Sequence, residues 1–497
     1  MTREDEMVKE RMKKIDELRK LKVNPYPHSF DKKNNAAELH EKYSKIAPEE
    51  KTKDKAIVAG RLMSVRLMGK INFASLQDES GKIQIVIQED EIGKKETEFF
   101  SKYADSGDFV GVQGTIFRTK RGELSILAEK IEILTKAILP LPEKWHGLQD
   151  KEERYRKRYL DLAMSPEVKS VFETRTLTIS LIREFLNSKG FLEVETPILQ
   201  SVYGGAAARP FKTHMHELDL NMFLSISPEL YLKRLIVGGF EKVYTICKNF
   251  RNESIDKDHN PEFTMMECYQ AYKDYEFLMK FSEEMMSELI KKTVGKNEVE
   301  YQGKKLNFKA PFERITFRDL IKKEDGIDID KFKTFETLSK EIQKKKLQDV
   351  DLGKCKNYAA LLDELYKKTC RPKLIQPTFL TNYPVEMIPL AKRNQKDESK
   401  INIFQLIVDG MEIMKAYDEL NDPIDQKERL EEQAKDLKKG SEEAHPMDKD
   451  FINALEYGMP PTGGLGLGID RLVMLLTNSA SIRDVILFPF MRKTEEK

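Results

Sequence analysis

Between Ala56 and Leu134 the sequence alternates apolar and polar residues in short runs, and this texture constrains the fold more than any other feature. The runs read AIVAGRLMSVRL, INFASLQD, KIQIVIQED, DFVGVQGTIFRT and LSILAEKIEIL. A period of two places every second side chain on one face of a strand. Turn signals separate the runs at Met68-Gly69, Ser80-Gly81, Ser106-Gly107 and Arg121-Gly122. Five strands in roughly 80 residues, with the helix-compatible KKETEFFSKYA between the third and fourth, predict a small closed barrel.

Such a barrel is of the oligonucleotide-binding type, a fold that also holds sugars and proteins. It accounts for only part of the 497 residues, and a chain that long exceeds one hydrophobic core. Charged residues at 34% and apolar ones at 40% give ordinary, well-solvated surfaces. The formal net charge of +1 neither announces nor excludes a nucleic-acid partner, so any such site must be a local patch. Cys247, Cys268, Cys355 and Cys370 form no CxxC pair and have no histidine at metal spacing, which argues for reduced, buried thiols. There is no apolar run of about 18 residues to span a bilayer. The opening MTREDEMVKERMKK is charged where a signal peptide needs an apolar stretch. The expected compartment is the cytoplasm.

Four segments are expected: a helical extension over 1–55, the barrel over 56–138, a linker over 139–166, and one large α+β domain over 167–497. Residues 3–22 read as a charged helix with a thin stripe of Met7, Met12, Ile15, Leu18 and Leu21, stopped by Pro25 and Pro27. A stripe that narrow docks on the rest of the molecule or frays. Pro140 and Pro142 mark the linker, and the following KEERYRKRYL sets basic residues and tyrosines among carboxylates, a solvated helix face or a contact for an RNA backbone. Residues 167–189 predict a helix through Val168, Phe172, Ile179, Ile182 and Phe185, ended by Gly190, with FLEVETPIL as a strand behind it. Residues 275–400 read as insertion and scaffold.

Two stretches concentrate chemistry. VYTICKNFRNESIDKDHNPEFTMMECYQA, residues 243–271, reads as strand, polar loop and strand. Alternation puts Arg251 and Glu253 on one face of the first strand, and Phe263, Met265, Glu267 and Tyr269 on one face of the second. Burying that set without a ligand is expensive, so the hairpin is a candidate nucleotide floor. TGGLGLGIDRLVMLLTN, residues 462–478, lacks the Lys-Ser/Thr of a phosphate loop and the acidic residue of a dinucleotide fold. It reads better as a glycine-lightened strand running into a helix near Asp470-Arg471, with room for a flat ligand against the backbone.

With these residues in view, the chain resembles the class II lysyl-tRNA synthetases. The three class signatures stand as GFLEVETP, FRNESIDKDHNPEFTMMECY and GLGLGIDR, accompanied by GGAAARPF, SPELYLKR, PLAKR, ELNDP and ALEYGMPPTGG. The resemblance implies an α+β fold: an N-terminal OB-fold barrel that reads the anticodon, and a catalytic antiparallel sheet flanked by helices. It implies ATP-dependent activation of L-lysine to lysyl-adenylate and transfer to the 3′ end of tRNA(Lys), by a homodimer that uses Mg2+. In that family Arg251 binds the α-phosphate and the substrate carboxylate, Glu253 the adenine amino group, and His259 and Asn260 the outer phosphates. Phe263 and Arg471 sandwich the adenine, and Glu412 holds magnesium. For lysine, Glu419 with Tyr269 takes the ε-ammonium, Glu229 and Gly205 the α-amino group, and Glu267 lines the pocket. In the barrel, Phe73 stacks a base beside Arg66, Gln84 and Glu123.

Read without the resemblance, Glu229 is also a good acidic first turn of a helix after Ser227-Pro228, Glu419 a surface carboxylate, and Phe73 a core residue. Two positions depart from the family pattern. Gln405 stands where an acidic second magnesium ligand is usual, and Lys415 where Asn is usual, which leaves the number of bound ions open. Simple alternation also puts Glu412 and Glu419 on opposite strand faces, so one shared site requires a bulge or turn. The alternative function is that of a non-catalytic RNA-binding paralogue of a synthetase.

Overall fold

The structure, a computed structural model, describes residues 2–142, 150–438 and 445–492. It forms two compact units, Met1–Gln149 and Asp150–Lys497. In the first, the five expected strands are β1 (Lys51–Met68), β2 (Ile71–Gln77), β3 (Lys82–Gln88), β4 (Phe109–Arg118) and β5 (Leu124–Thr135). They close in the order β1-β2-β3-β5-β4. β1 pairs with both β2 and β4 and shifts register between Leu62 and Ser64. A bulge of this kind bends a strand and lets it turn a barrel corner. Gly69 makes the β1–β2 turn at φ +76°, where a side chain is strained. Val58, Leu62, Leu76, Ile85 and Ile126 fill the interior, and the expected helix between β3 and β4 runs Lys94–Tyr103.

The N-terminal helix, Arg3–Lys20, is capped by Thr2 and buries Ile15 and Leu18. Met12 and Leu21 of the expected stripe are exposed. Buried Arg11 packs in their place and donates to the carbonyls of Ser106, Ala137 and Leu139. The helix is therefore docked by a guanidinium as much as by its apolar stripe.

In the second unit an eight-stranded sheet has its central strands antiparallel. Across it lie Glu313–Thr316, Thr378–Thr381, Ile403–Val408, Met411–Asp418, Thr462–Gly468, Glu262–Ala271, Lys242–Phe250 and Leu192–Glu193. The outermost pair at each end is parallel. Helices Pro166–Ser188, Tyr275–Val294 and Ile469–Leu476 cover one face, burying Met266, Cys268, Met414, Ala416, Leu465 and Leu467. The other face packs at one end on Glu229–Val237, Phe317–Asp325 and Tyr358–Leu365. Elsewhere it opens into a cavity. The long helix follows its expected spacing: Val168, Phe172, Ile182 and Phe185 are buried and Ile179 is partly so.

Two stretches differ from expectation. FLEVETPIL is not one strand: Leu192–Glu193 joins the main sheet, and Leu199–Gln200 joins a separate three-stranded sheet. Residues 150–166, expected within a linker, fold as the helices Lys151–Arg156 and Arg158–Met164. The cause is Arg158, which is buried, pairs with Asp161 at 2.9 Å, and donates to the carbonyls of Arg483, Ile486 and Leu487. Residues 143–149 of that linker lie outside the described residues. Cys247, Cys268, Cys355 and Cys370 are free thiols. Among the described residues no helix is long and apolar enough to cross a membrane.

Candidate active site

The cavity, about 300 Å³, is floored by the expected hairpin and the two strands beside it. Alternation along Glu262–Ala271 sends Met265, Glu267 and Tyr269 to the cavity and Met266 and Cys268 to the core. The first strand ends at Phe250, short of Arg251 and Glu253. The Arg251 N–H adds one more rung, donating to the Pro261 carbonyl at 2.9 Å, and Glu253 sits in the loop. Both still line the cavity.

The glycine-lightened strand, Thr462–Gly468, and the helix from Ile469 form as expected. Gly464 is required sterically: a Cβ there lies 1.9 Å from Glu419 Oε1 and 2.6 Å from the Tyr269 ring. On the neighbouring strand, Leu406 pairs with Met414 but Ile407 pairs with Glu412, so Ile413 is the extra residue of a β-bulge. The bulge resets the alternation. Glu412, Lys415, Tyr417 and Glu419 all line the cavity, while Met414 and Ala416 enter the core.

One end of the cavity is a cage of carboxylates. Glu419 is 1% exposed; its Oε2 is ion-paired with Lys233, and its Oε1 has no hydrogen-bond partner. Glu229 is the first residue of the Glu229–Val237 helix and also faces the cavity, so the helix-start reading and the ligand reading are compatible. It accepts from Lys233 Nζ and from the Tyr417 hydroxyl, each at 2.7 Å. Glu267 accepts from the Ser227 hydroxyl at 2.9 Å and the Tyr269 hydroxyl at 3.2 Å. Burial, with Glu229 adding to it, raises the Glu267 carboxyl to about 8. Burial also raises Glu419, against the pull of Lys233. Burial opposes charge on Lys233, but Glu229 and Glu419 prevail and hold its ammonium above the usual lysine value. Gly205, at φ +86°, closes this end where a Cβ would meet Ser227 Oγ at 2.8 Å.

Sequence reasoning missed Ser227, Lys233 and Tyr417. The pair Glu229 and Lys233 was visible at i,i+4, a spacing that usually marks an exposed ion pair.

At the other end, the Arg251 guanidinium lies 5.0 Å over the Phe263 ring. Arg471 donates to the Glu412 carbonyl at 2.9 Å and to His259 Nε2 at 3.2 Å. That makes Nε2 the acceptor and puts the ring proton on Nδ1, facing Asp256 at 2.9 Å. Asn260 is buried with its Oδ1 unpartnered. Asp470 fixes the helix start, pairing with Arg175 at 2.6 Å and accepting from the Thr264 N–H at 2.6 Å. All twelve residues expected to hold nucleotide or amino acid line this one cavity.

Gln405 does not. Its Oε1 accepts from the Tyr383 hydroxyl at 2.6 Å and the Tyr366 hydroxyl at 3.4 Å, and it is absent from the lining. This weighs against Gln405 as a second magnesium ligand, a role the sequence left open, because both lone pairs of its one acceptor atom are taken. Among the described residues no three His, Cys, Asp or Glu side chains form a metal-holding group. Glu412 alone suits a magnesium ion that arrives with phosphate oxygens, since such an ion needs only one or two protein carboxylates.

In the barrel unit, Arg66, Phe73, Gln84 and Glu123 line one recess with Ser64, Ser75 and Lys82. Phe73 is half-buried between fully buried Asn72 and Ala74, so it stands on the outer face and not in the core. Ser125 donates to Gln84 Oε1 at 2.9 Å and holds that amide.

Comparison with known proteins agrees with both units. The family described as "tRNA synthetases class II (D, K and N)" matches residues 150–492, and the "OB-fold nucleic acid binding domain" matches 56–134. The chain is 49% identical over 491 residues to the lysine–tRNA ligase of Pelotomaculum thermopropionicum, covering 99% of this chain and 96% of that protein. It is 49% identical over 495 residues to that of Thermotoga maritima, covering 99% and 97%. With that of Carboxydothermus hydrogenoformans the figures are 48% over 489 residues, 98% of each chain.

Proposed function

The chain belongs to the D, K and N group of class II tRNA synthetases, and on that premise we propose that it activates L-lysine with ATP and loads it onto the 3′ end of tRNA(Lys). Charge carries the choice of amino acid. Lys233 pairs with Glu229 and Glu419, and Glu267 lines the same end of the cavity, so once Glu267 gives up its proton two negative charges remain for a ligand. Lysine brings two ammonium groups to match them. Aspartate brings an extra carboxylate, and asparagine leaves one charge unmet, an expensive state in a desolvated site. The unpartnered Glu419 Oε1 is the acceptor for the ε-ammonium.

In the reaction, the lysine carboxylate attacks the α-phosphorus of ATP in line, a P–O bond forms, and pyrophosphate leaves. Arg251 spans that carboxylate and the α-phosphate, where a forked guanidinium suits oxyanions. Glu253 accepts from the adenine amino group, Phe263 and Arg471 hold the ring between them, and His259 and Asn260 receive the outer phosphates. Magnesium, when bound, spreads phosphate charge, and Glu412 is the residue to hold it. The terminal ribose hydroxyl of the tRNA then attacks the lysyl carbonyl, and AMP leaves. Catalysis is by positioning and charge, with no covalent enzyme intermediate.

In the barrel, Phe73 stacks an anticodon base and Arg66, Gln84 and Glu123 read its edges. The exposed apolar residues Leu177, Leu192, Ile198 and Leu199 around the first signature favour a homodimer through that segment, working in the cytoplasm. The test is ATP–pyrophosphate exchange across an amino-acid panel. Lysine alone should drive it. Exchange with aspartate or asparagine instead would refute the assignment, and none with any amino acid despite tRNA binding would favour the non-catalytic paralogue.

A further inference from the structure

We infer that Lys415 brings to the triphosphate, as a fixed ammonium, the positive charge that a second metal ion would otherwise supply, so that this cavity takes ATP with one protein-held divalent ion, at Glu412. The inference rests on the ATP-using reading above.

Strand register sets the row. Gln405 pairs with Lys415, Lys415 with Gly466, and Gly466 with Glu267, so these positions share one face of the sheet, with Gln405 packed on Tyr366 and Tyr383 beyond the cavity lining. On one side of Lys415 the neighbour is a glycine with no side chain to cover it. On the other side, Gln405 Oε1 is saturated by the two tyrosine hydroxyls, and the amide nitrogen has only donors to offer a cation. Lys415 itself is half-buried on the lining, and no described residue holds its ammonium by a hydrogen bond or ion pair. The bulge at Ile413 brings Glu412 onto the same wall.

That wall therefore presents one carboxylate beside one free ammonium, not two carboxylates. A second dication here would have no oxygen ligand from Gln405 and would be repelled by Lys415. A triphosphate meets Arg251 and Lys415 instead, two cations that need no metal between them and the oxyanions.

The experiment counts ions on the full chain. Mn2+ is titrated against protein, lysine and α,β-methylene-ATP, with free Mn2+ read by electron paramagnetic resonance. The parent should hold one Mn2+ per bound analogue, and the Gln405→Glu/Lys415→Asn double variant should take up a second. Lys415→Asn alone should weaken analogue binding about 10- to 100-fold at limiting Mn2+, the scale of a lost charged hydrogen bond. Two tightly held Mn2+ per site in the parent overturn the inference, and so does a Lys415→Asn protein whose analogue affinity is unchanged. If the parent shows no lysine-dependent exchange, the ATP-using reading falls as well; if exchange is intact and two ions are bound, only the metal count falls.

Discussion

Replacing Glu419 by Gln keeps the side chain's shape and removes one charge. The carboxylate is 1% exposed, and Lys233 retains Glu229 at 2.7 Å, so the scaffold keeps an internal counter-charge. The loss falls on the ε-ammonium of lysine, which meets an amide where Oε1 stood. Breaking a buried ion pair from one side costs about 3–5 kcal/mol. At about 1.36 kcal/mol per decade that is roughly 150- to 5,000-fold in kcat/KM for lysine. Most of it should appear in KM, because the ammonium is remote from the reacting carboxylate and is held alike in the ground and transition states. Lysine-dependent ATP–pyrophosphate exchange measures the effect, with a melting curve to show that the fold survives. A folded Glu419→Gln protein whose kcat/KM stays within about threefold of the parent would refute the two-charge account of the cage.

The same geometry fixes four further outcomes. Because the Glu267 carboxyl is raised to about 8, a proton must leave the free cage before an ammonium gains its full partner. KM for lysine should therefore fall as pH rises from about 6.5 to 8, by up to about tenfold per unit, and Glu267→Gln should flatten the profile; a flat parental profile counts against this. Gly464→Ala places a Cβ 1.9 Å from Glu419 Oε1, and overpacking of about 1–3 kcal/mol should raise KM for lysine about 5- to 150-fold in the exchange assay. Phe73→Ala should raise KM for tRNA by about 10- to 100-fold, the worth of one stacked base, in aminoacylation but not in exchange, which uses no RNA. Arg175→Met leaves Asp470 buried without its partner and should lower unfolding free energy in urea by about 3 kcal/mol; an unchanged midpoint would show that the pair is structurally idle.

What was legible follows the range of the interaction. The barrel strands and the hairpin at 243–271 are local patterns of period two, and they formed close to where alternation put them. The bulge at Ile413 is a property of how two strands pair, so alternation within one strand could only show that something had to reset the face between Glu412 and Glu419. Lys233 looks from its sequence like half of an exposed helical pair with Glu229. It is buried because Glu419, far along the chain, closes on it from another strand. Arg158 sits in a run that reads as solvated, and its carbonyl partners at 483, 486 and 487 are more than 300 residues away. The roles of the cavity residues came from resemblance to a family; the residue types alone left Glu229, Glu419 and Phe73 with ordinary structural readings.

One strand brings both Glu412 and Lys415 to the cavity and leads into Glu419, and the energetics of burial explain why it must be irregular. With strict alternation, facing Lys415, Tyr417 and Glu419 into the cavity turns Glu412 toward the core between Met414 and the strand end. A carboxylate there would be desolvated without a partner, at a cost of several kcal/mol. Inserting Ile413 puts an apolar residue, 1% exposed, into the core in its place and returns Glu412 to the cavity. A core that accepts Ile413 and rejects Glu412 thus holds the bulge in register, and the bulge in turn brings Glu412 into the same cavity as Lys415, Tyr417 and Glu419.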